Sequence, residues 1–255
     1  MLLSPDGTIF TLVFDAAPAF GATVDGVLVG SFGRAEVVSF HATKVVNSGE
    51  GGALLTNDDE VAARARTMRS FGFVDNDKVV SLGTNAKMSE LSAAMGISSL
   101  ERFEHFRGVN EAHFRRYSES LESLAGVVVL PYASGEQANF NNVVIEIDAD
   151  LTGISRDLVL QLLTAENVLA RRYFWPGCHR MEPYRLQRTP QPTDFPVTDR
   201  VASRVLSLPT GTDLTAADVE LVCELVTDLV ENGSEVTHRA ARAGLHHPMT
   251  SAHPS

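Results

Sequence analysis

Apolar and polar residues follow three successive patterns along the chain. Up to about Arg107, short apolar runs alternate with helical periodicity. Phe10 to Phe14 closes at Asp15, Ala35 to Phe40 forms a second run, and Gly52 to Leu55 belongs to a third. Asn57-Asp58-Asp59-Glu60 provides a cap and an acidic first turn for a helix through about Ser70. From Met88 to about Phe106, Leu91, Ala94, Met95, Ile97 and Leu100 recur with the spacing of one buried helical face. After about Gly108 the order changes. A charged helix from Val109 to Leu124 precedes the strand-like run Gly126 to Leu130, which Pro131 stops. Asn142 to Ile147 predicts a second strand, Ser155 caps a helix to Glu166, and Val168 to Phe174 predicts a third strand. Thr215 with Asp218 reads as a capping box opening a helix that ends near Asn232-Gly233. From Ser234 onward Ser, Thr, Pro, Ala and His offer little apolar surface to bury, which predicts an unstructured end. The organisation expected is an α/β portion over 1–107, an α+β domain over 108–232 and a disordered tail over 233–255.

Chemistry concentrates in Ser39-Phe40-His41-Ala42-Thr43-Lys44, followed by Asn47-Ser48-Gly49-Glu50-Gly51-Gly52. A lysine on a short polar connection after an apolar run, with a serine before it and glycines after it, suits a Schiff base to an aldehyde cofactor. An ordinary amine is protonated and non-nucleophilic at neutral pH, so such a lysine needs a preformed, partly dry pocket. Asp15, at the end of an apolar run, offers the carboxylate that keeps a pyridinium nitrogen charged and the ring an electron sink. Ser39 would donate its hydroxyl to a phosphate oxygen. Together Asp15, Ser39 and Lys44 point to pyridoxal 5'-phosphate. Taken singly, Lys44 reads as a solvated loop lysine, Ser39 as a turn residue and Asp15 as a strand-end turn former.

The motifs Phe14-Asp15-Ala16-Ala17, Gly30-Ser31-Phe32-Gly33, Ser39 to Lys44 and Gly49-Glu50-Gly51-Gly52 resemble those of the DegT-type nucleotide-sugar aminotransferases, which are fold-type I pyridoxal-phosphate enzymes. Gly83-Thr84-Asn85-Ala86-Lys87-Met88-Ser89-Glu90 resembles a further segment of that family, and Arg172 to His179 resembles its substrate-side segment. The resemblance runs in order from about Phe10 to Glu231. It implies an α/β chain, the C-terminal part of a fold-type I aminotransferase, with a partial large-domain sheet in 1–107 and a small α+β domain in 108–232. It assigns Lys44 the catalytic role and Asp15, Ser39, Lys44 and Asn85 to the cofactor, with Asn85 reaching the phosphate in the partner subunit of a homodimer. Arg172 and His179 would contact the sugar or its diphosphate, and His41 would position rather than carry protons. The implied reaction moves an amino group from a donor such as glutamate to a nucleotide-sugar substrate of the 4-keto-6-deoxyhexose type.

Two positions depart from the family pattern. Pro18 stands where the family has a glutamine or histidine that meets the cofactor's phenolic oxygen, and Lys87 stands for an arginine, keeping the charge without the fork geometry. The resemblance also implies that the helix N-terminus gripping the cofactor phosphate lies in a part of the family's chain that precedes this one, so weak cofactor binding is expected. A truncated, non-catalytic remnant is therefore the competing expectation.

Composition narrows the setting. With 255 residues and 44% hydrophobic residues the chain can bury one large or two small cores. A formal net charge of -11 excludes nucleic-acid and anionic-membrane binding as leading roles. No apolar stretch approaches the roughly 20 residues of a membrane span, the first residues lack a signal-peptide pattern, and two cysteines give no disulfide framework. A cytoplasmic protein is expected. No metal site is expected either, the histidines His238, His246, His247 and His253 reading as part of an unstructured end.

Overall fold

A computed structural model describes residues 2–3, 9–182, 184–186 and 195–245. The chain divides into two units, Met1–Val109 with Tyr132–Asn141, and Asn110–Pro131 with Asn142–Ser255.

In the first unit β1 (Leu2–Leu3) pairs antiparallel with β2 (Ile9–Phe10), and β3 (Val13–Asp15) follows. The run Phe10 to Phe14, expected as one strand, is thus split, because its two halves bond to different partners. β4 (Thr23–Val24) and β5 (Val27–Leu28) form a hairpin. β6 (Ala35–Ser39) then lies parallel to β3 and antiparallel to β7 (Gly52–Leu55), giving a three-stranded sheet in the order β3-β6-β7. Ala35 and Val38 are buried, while Glu36, also buried, accepts the Phe32 amide. α1 (Asp59–Arg69) starts as the sequence predicts, with Asp58 Oδ1 accepting the Val61 amide at 3.1 Å. A hairpin of β8 (Phe73–Asp75) and β9 (Lys78–Val79) leads to α2 (Glu90–Glu101), capped by Ser89, and to α3 (Phe103–Leu121). The helices expected over 88–106 and 109–124 are therefore divided elsewhere. Arg102 leaves helical geometry (φ -103, ψ 5) and its amide turns back to Ser99 O at 3.2 Å, which closes α2 and starts α3.

The second unit holds an antiparallel sheet in the order β10-β11-β13-β12, from β10 (Val127–Val129), β11 (Val143–Ile147), β12 (Arg171–Arg172) and β13 (Val205–Leu208). Its helices are α4 (Ala149–Thr152), α5 (Arg156–Ala165), α6 (Pro196–Arg204), α7 (Ala216–Glu231) and α8 (Gly233–Arg242). β11 alternates buried and half-buried residues, placing Val143, Ile145 and Ile147 in a core with Leu163, Leu206, Val219 and Val226. The strand expected over Val168 to Phe174 shrinks to Arg171–Arg172, since Phe174 turns the chain through a left-handed conformation (φ 54). The capping box of α7 is present: Thr215 Oγ1 accepts the Asp218 amide at 3.2 Å and Asp218 Oδ2 accepts the Thr215 amide at 2.8 Å.

Two sequence expectations need correction. The segment from Gly233, expected to be disordered, forms α8 through Arg242; Ala240 is buried in the core and Thr237 Oγ1 donates to Gly153 O at 2.8 Å. His238 lies on that helix, while His246, His247 and His253 lie outside the described residues. Tyr132–Asn141, assigned by sequence to the 108–232 domain, belongs to the first unit. Among the described residues no helix is long and apolar enough to cross a membrane.

Two outcomes follow for stability. Ile145→Ala removes a fully buried side chain from the central strand and should cost about 2–5 kcal/mol in denaturant unfolding. His113 on α3 is buried beside Thr210, and burial pushes its imidazole down from the ordinary value. The unfolded chain then takes up the proton first, so this contribution is complete above pH ~6.5 and is lost as pH falls through the lowered folded value. The melting temperature should drop on acidification below pH ~6.5, and His113→Gln should flatten that part of the profile.

Candidate active site

β3 and β6 run in the same direction with Asp15 opposite Val37, and Ala16 N donates to Val37 O at 2.9 Å. Both strands therefore end at one edge of the sheet, where ligands sit in open α/β sheets. Asp15, exposed at that edge, accepts the Ala17 amide through Oδ1 at 3.1 Å, which turns the chain and leaves Oδ2 open. Ser39 closes β6, and its amide donates to Ala17 O at 3.4 Å. Its Oγ accepts the His41 amide at 3.2 Å and still has a hydroxyl proton to give.

The loop between β6 and β7 is closed at its base by Phe40 N to Gly51 O at 2.9 Å and Ser48 N to Phe40 O at 2.8 Å. Gly52 must lack a Cβ, which would stand 2.7 Å from Val38 O. Val45 and Val46 are buried and root the loop. Within it Lys44 N donates to His41 O at 2.9 Å, and Thr43 N donates to His41 Nδ1 at 3.2 Å. His41 thus bonds to the loop from within; its Nε2 is 3.7 Å from Glu50 Oε1, with the His41 side chain about half exposed and that of Glu50 largely exposed. Lys44 is half-buried, and its Nζ makes no hydrogen bond or ion pair among the described residues.

The structure thus gathers Asp15 and Ser39 at one sheet edge and hangs Lys44 from the loop that leaves it. An unpaired amine, a carboxylate with one open oxygen and a hydroxyl with a spare proton match the aldehyde, ring nitrogen and phosphate of pyridoxal 5'-phosphate, so the residues fit that group. Asn85 sits elsewhere in the unit: its exposed residue bridges Ser70 through the backbone on the way into α2. Lys87 Nζ lies 4.4 Å from the Phe71 ring centroid, a cation–π contact in which ammonium replaces the guanidinium of the family pattern.

Arg172 and His179 belong to the second unit. Arg172 Nε is 3.3 Å from Asp157 Oδ1, and its guanidinium is 5.9 Å from the Trp175 ring. Arg156, fully buried, shares the same carboxylate at 2.9 Å and lies 5.1 Å from Trp175. His179 Nε2 is 2.9 Å from Asp199 Oδ1, and Arg180 Nε donates to the same oxygen at 2.6 Å. Arg180 and, less strongly, His179 hold the Asp199 carboxyl down to about 2. Asp157, Asp199 and Arg156 carry no motif that marks them in the sequence, because each matters only through a partner that folding supplies.

The chain is similar to known proteins over most of its length. The family model described as the DegT/DnrJ/EryC1/StrS aminotransferase family matches residues 6–227. The dTDP-4-amino-4,6-dideoxy-D-glucose transaminase of Shigella dysenteriae is 32% identical over 219 residues, which cover 86% of this chain and 59% of that protein. The GDP-perosamine synthase of Caulobacter vibrioides is 32% identical over 215 residues, covering 83% of this chain and 56% of that protein. The structure of DesI in the presence of its TDP-sugar product superposes with a TM-score of 0.82 at 47% identity, covering 91% of this chain and 58% of DesI. The chain spans less than two thirds of the length of each. Its fold is mixed α/β, that of a portion of a fold-type I aminotransferase, with a partial sheet of the larger domain and an α+β arrangement in the second unit. This chain is a member of the DegT/DnrJ/EryC1/StrS aminotransferase family.

Proposed function

We propose that the chain takes part in pyridoxal 5'-phosphate-dependent transamination, moving an amino group from an amino acid such as glutamate to a nucleotide-linked 4-keto-6-deoxyhexose. The observation that carries this reading is the placement of an unpaired Lys44 on the loop leaving the sheet edge that Asp15 and Ser39 share. When bound, the cofactor supplies an electron sink for charge developing on the donor's α-carbon.

The residues divide that work. Lys44 would anchor the cofactor covalently, and once the donor's amine had displaced it the freed Nζ would be the base that takes the donor's α-proton. Asp15 offers Oδ2 to the ring nitrogen, so the positive charge there persists through the reaction. Ser39 gives its hydroxyl proton to the phosphate. Asn85 serves the cofactor of a partner subunit in a homodimer, and Arg172 and His179 meet the sugar or its diphosphate. Asp157 and Asp199 fix the orientations of those two side chains. The first unit is on this reading the remainder of the large cofactor-binding domain, and the second the small domain.

The test combines an absorbance titration with pyridoxal 5'-phosphate, borohydride reduction and peptide mass spectrometry, beside Lys44→Ala. Reduction locks even a weak covalent complex, so affinity does not decide the outcome. The expected result is a reduced adduct on Lys44 alone, absent from Lys44→Ala, with amino transfer in that variant reduced about 10²–10⁴-fold where transfer is measurable. An adduct spread over lysines without preference for Lys44 would contradict the proposal and leave the chain a non-catalytic relative.

A further inference from the structure

The segment Tyr132–Asn141 runs between β10 and β11, yet it belongs to the first unit and hydrogen-bonds to residues more than a hundred positions earlier. Glu136 accepts Thr23 Oγ1 at 2.5 Å and the Asp25 amide at 2.6 Å, and Gln137 Nε2 donates to Gly21 O at 2.7 Å. Asn139 is buried and gives Nδ2 hydrogens to Pro18 O at 2.8 Å and Phe20 O at 3.1 Å. Its Oδ1 accepts the Asn141 amide at 3.1 Å. Asn141 Nδ2 in turn donates to Thr43 O at 3.2 Å.

That last bond falls on the peptide joining Thr43 to Lys44. Its carbonyl is held by Asn141, and its N–H, which is Lys44's own, donates to His41 O at 2.9 Å. A peptide plane held on both sides fixes the following Cα and its N–Cα axis, and the buried Val45 that comes next limits rotation about that axis, so the direction in which the Lys44 side chain leaves the loop is constrained. Asn139 fixes the backbone of Asn141 and, by its other end, the turn that follows Asp15. One short segment thereby braces both the carboxylate turn and the lysine loop.

We propose that Asn141, braced by Asn139, is the positioning residue that aims Lys44, a role that rests on reading Lys44 as the cofactor lysine. Asn141 does not touch the reacting atoms; it acts through the Thr43–Lys44 peptide. The segment carries a second consequence for Pro18, whose carbonyl is engaged by Asn139 even though its side chain has no donor.

The experiment needs no cofactor. The chain holds three lysines, Lys44, Lys78 and Lys87, so trace acetylation with acetic anhydride, read by mass spectrometry across a pH series, compares Lys44 with two internal controls. Asn141→Ala should release the loop and raise the Lys44 rate about two- to tenfold, the range of one net hydrogen bond, with a shifted pH profile. Lys78 and Lys87 should keep their rates, and Asn141→Gln, which retains a donor, should restore most of the Lys44 behaviour. An unchanged Lys44 rate and profile in Asn141→Ala would overturn the proposal. So would equal changes at all three lysines, which would make Asn141 a general fold residue. Failure of the transamination reading shows separately, as a wild-type chain that forms no Lys44 adduct with pyridoxal 5'-phosphate.

Discussion

The parallel pairing of β3 with β6 is the constraint on which the candidate site depends. Asp15 and Ser39 are far apart in sequence, and only a parallel register with Asp15 opposite Val37 brings both to the same sheet edge. An antiparallel pairing of the same strands would send them to opposite edges. The turn back into β7 then requires glycine at Gly52, where a side chain would strike the Val38 carbonyl, and this keeps the intervening loop closed at its base. Lys44 inherits its position from these backbone facts.

The lysine loop is unusual in how little of its definition is local. Val45 and Val46 anchor it below, and His41 bonds to it from within, while Asn141 reaches it from a segment about a hundred residues later. In the second unit the polar groups follow the same logic. Arg156 and Arg172 converge on Asp157 beneath the chain's single tryptophan, and His179 and Arg180 converge on Asp199. Asp157 sits between two guanidinium groups, so removing it would leave two positive charges unneutralised, and Asp199 joins Arg180 to the His179 ring, so its loss would change the loop that carries Trp175 and His179.

Much of this is legible in the order of amino acids alone. Asp15, Ser39 and Lys44 stand out because strand-end carboxylates, hydroxyls and loop lysines flanked by glycine leave a chemical signature in local sequence. Helix starts are equally clear at Asp58, Ser155 and Thr215, since a cap is a contact over three residues. What local sequence does not reveal is long-range. α8 has few apolar residues, and it holds because Ala240 enters the core and Thr237 bonds to Gly153, neither of which local composition shows. Tyr132–Asn141 reads as a polar connection, and its membership of the first unit depends on bonds from Asn139 to Pro18 and Phe20. The break at Arg102 is hidden because the apolar spacing continues across it.

On the proposed function, this sheet edge and its loop form a cofactor site centred on Lys44. A crystal structure of the chain soaked with pyridoxal 5'-phosphate tests it most directly. The expected result is electron density continuous with Lys44 Nζ, a ring nitrogen within hydrogen-bond distance of Asp15 and a phosphate oxygen at Ser39 Oγ. Density joined to Lys78 or Lys87 instead, or a ring bound away from Asp15, would contradict it.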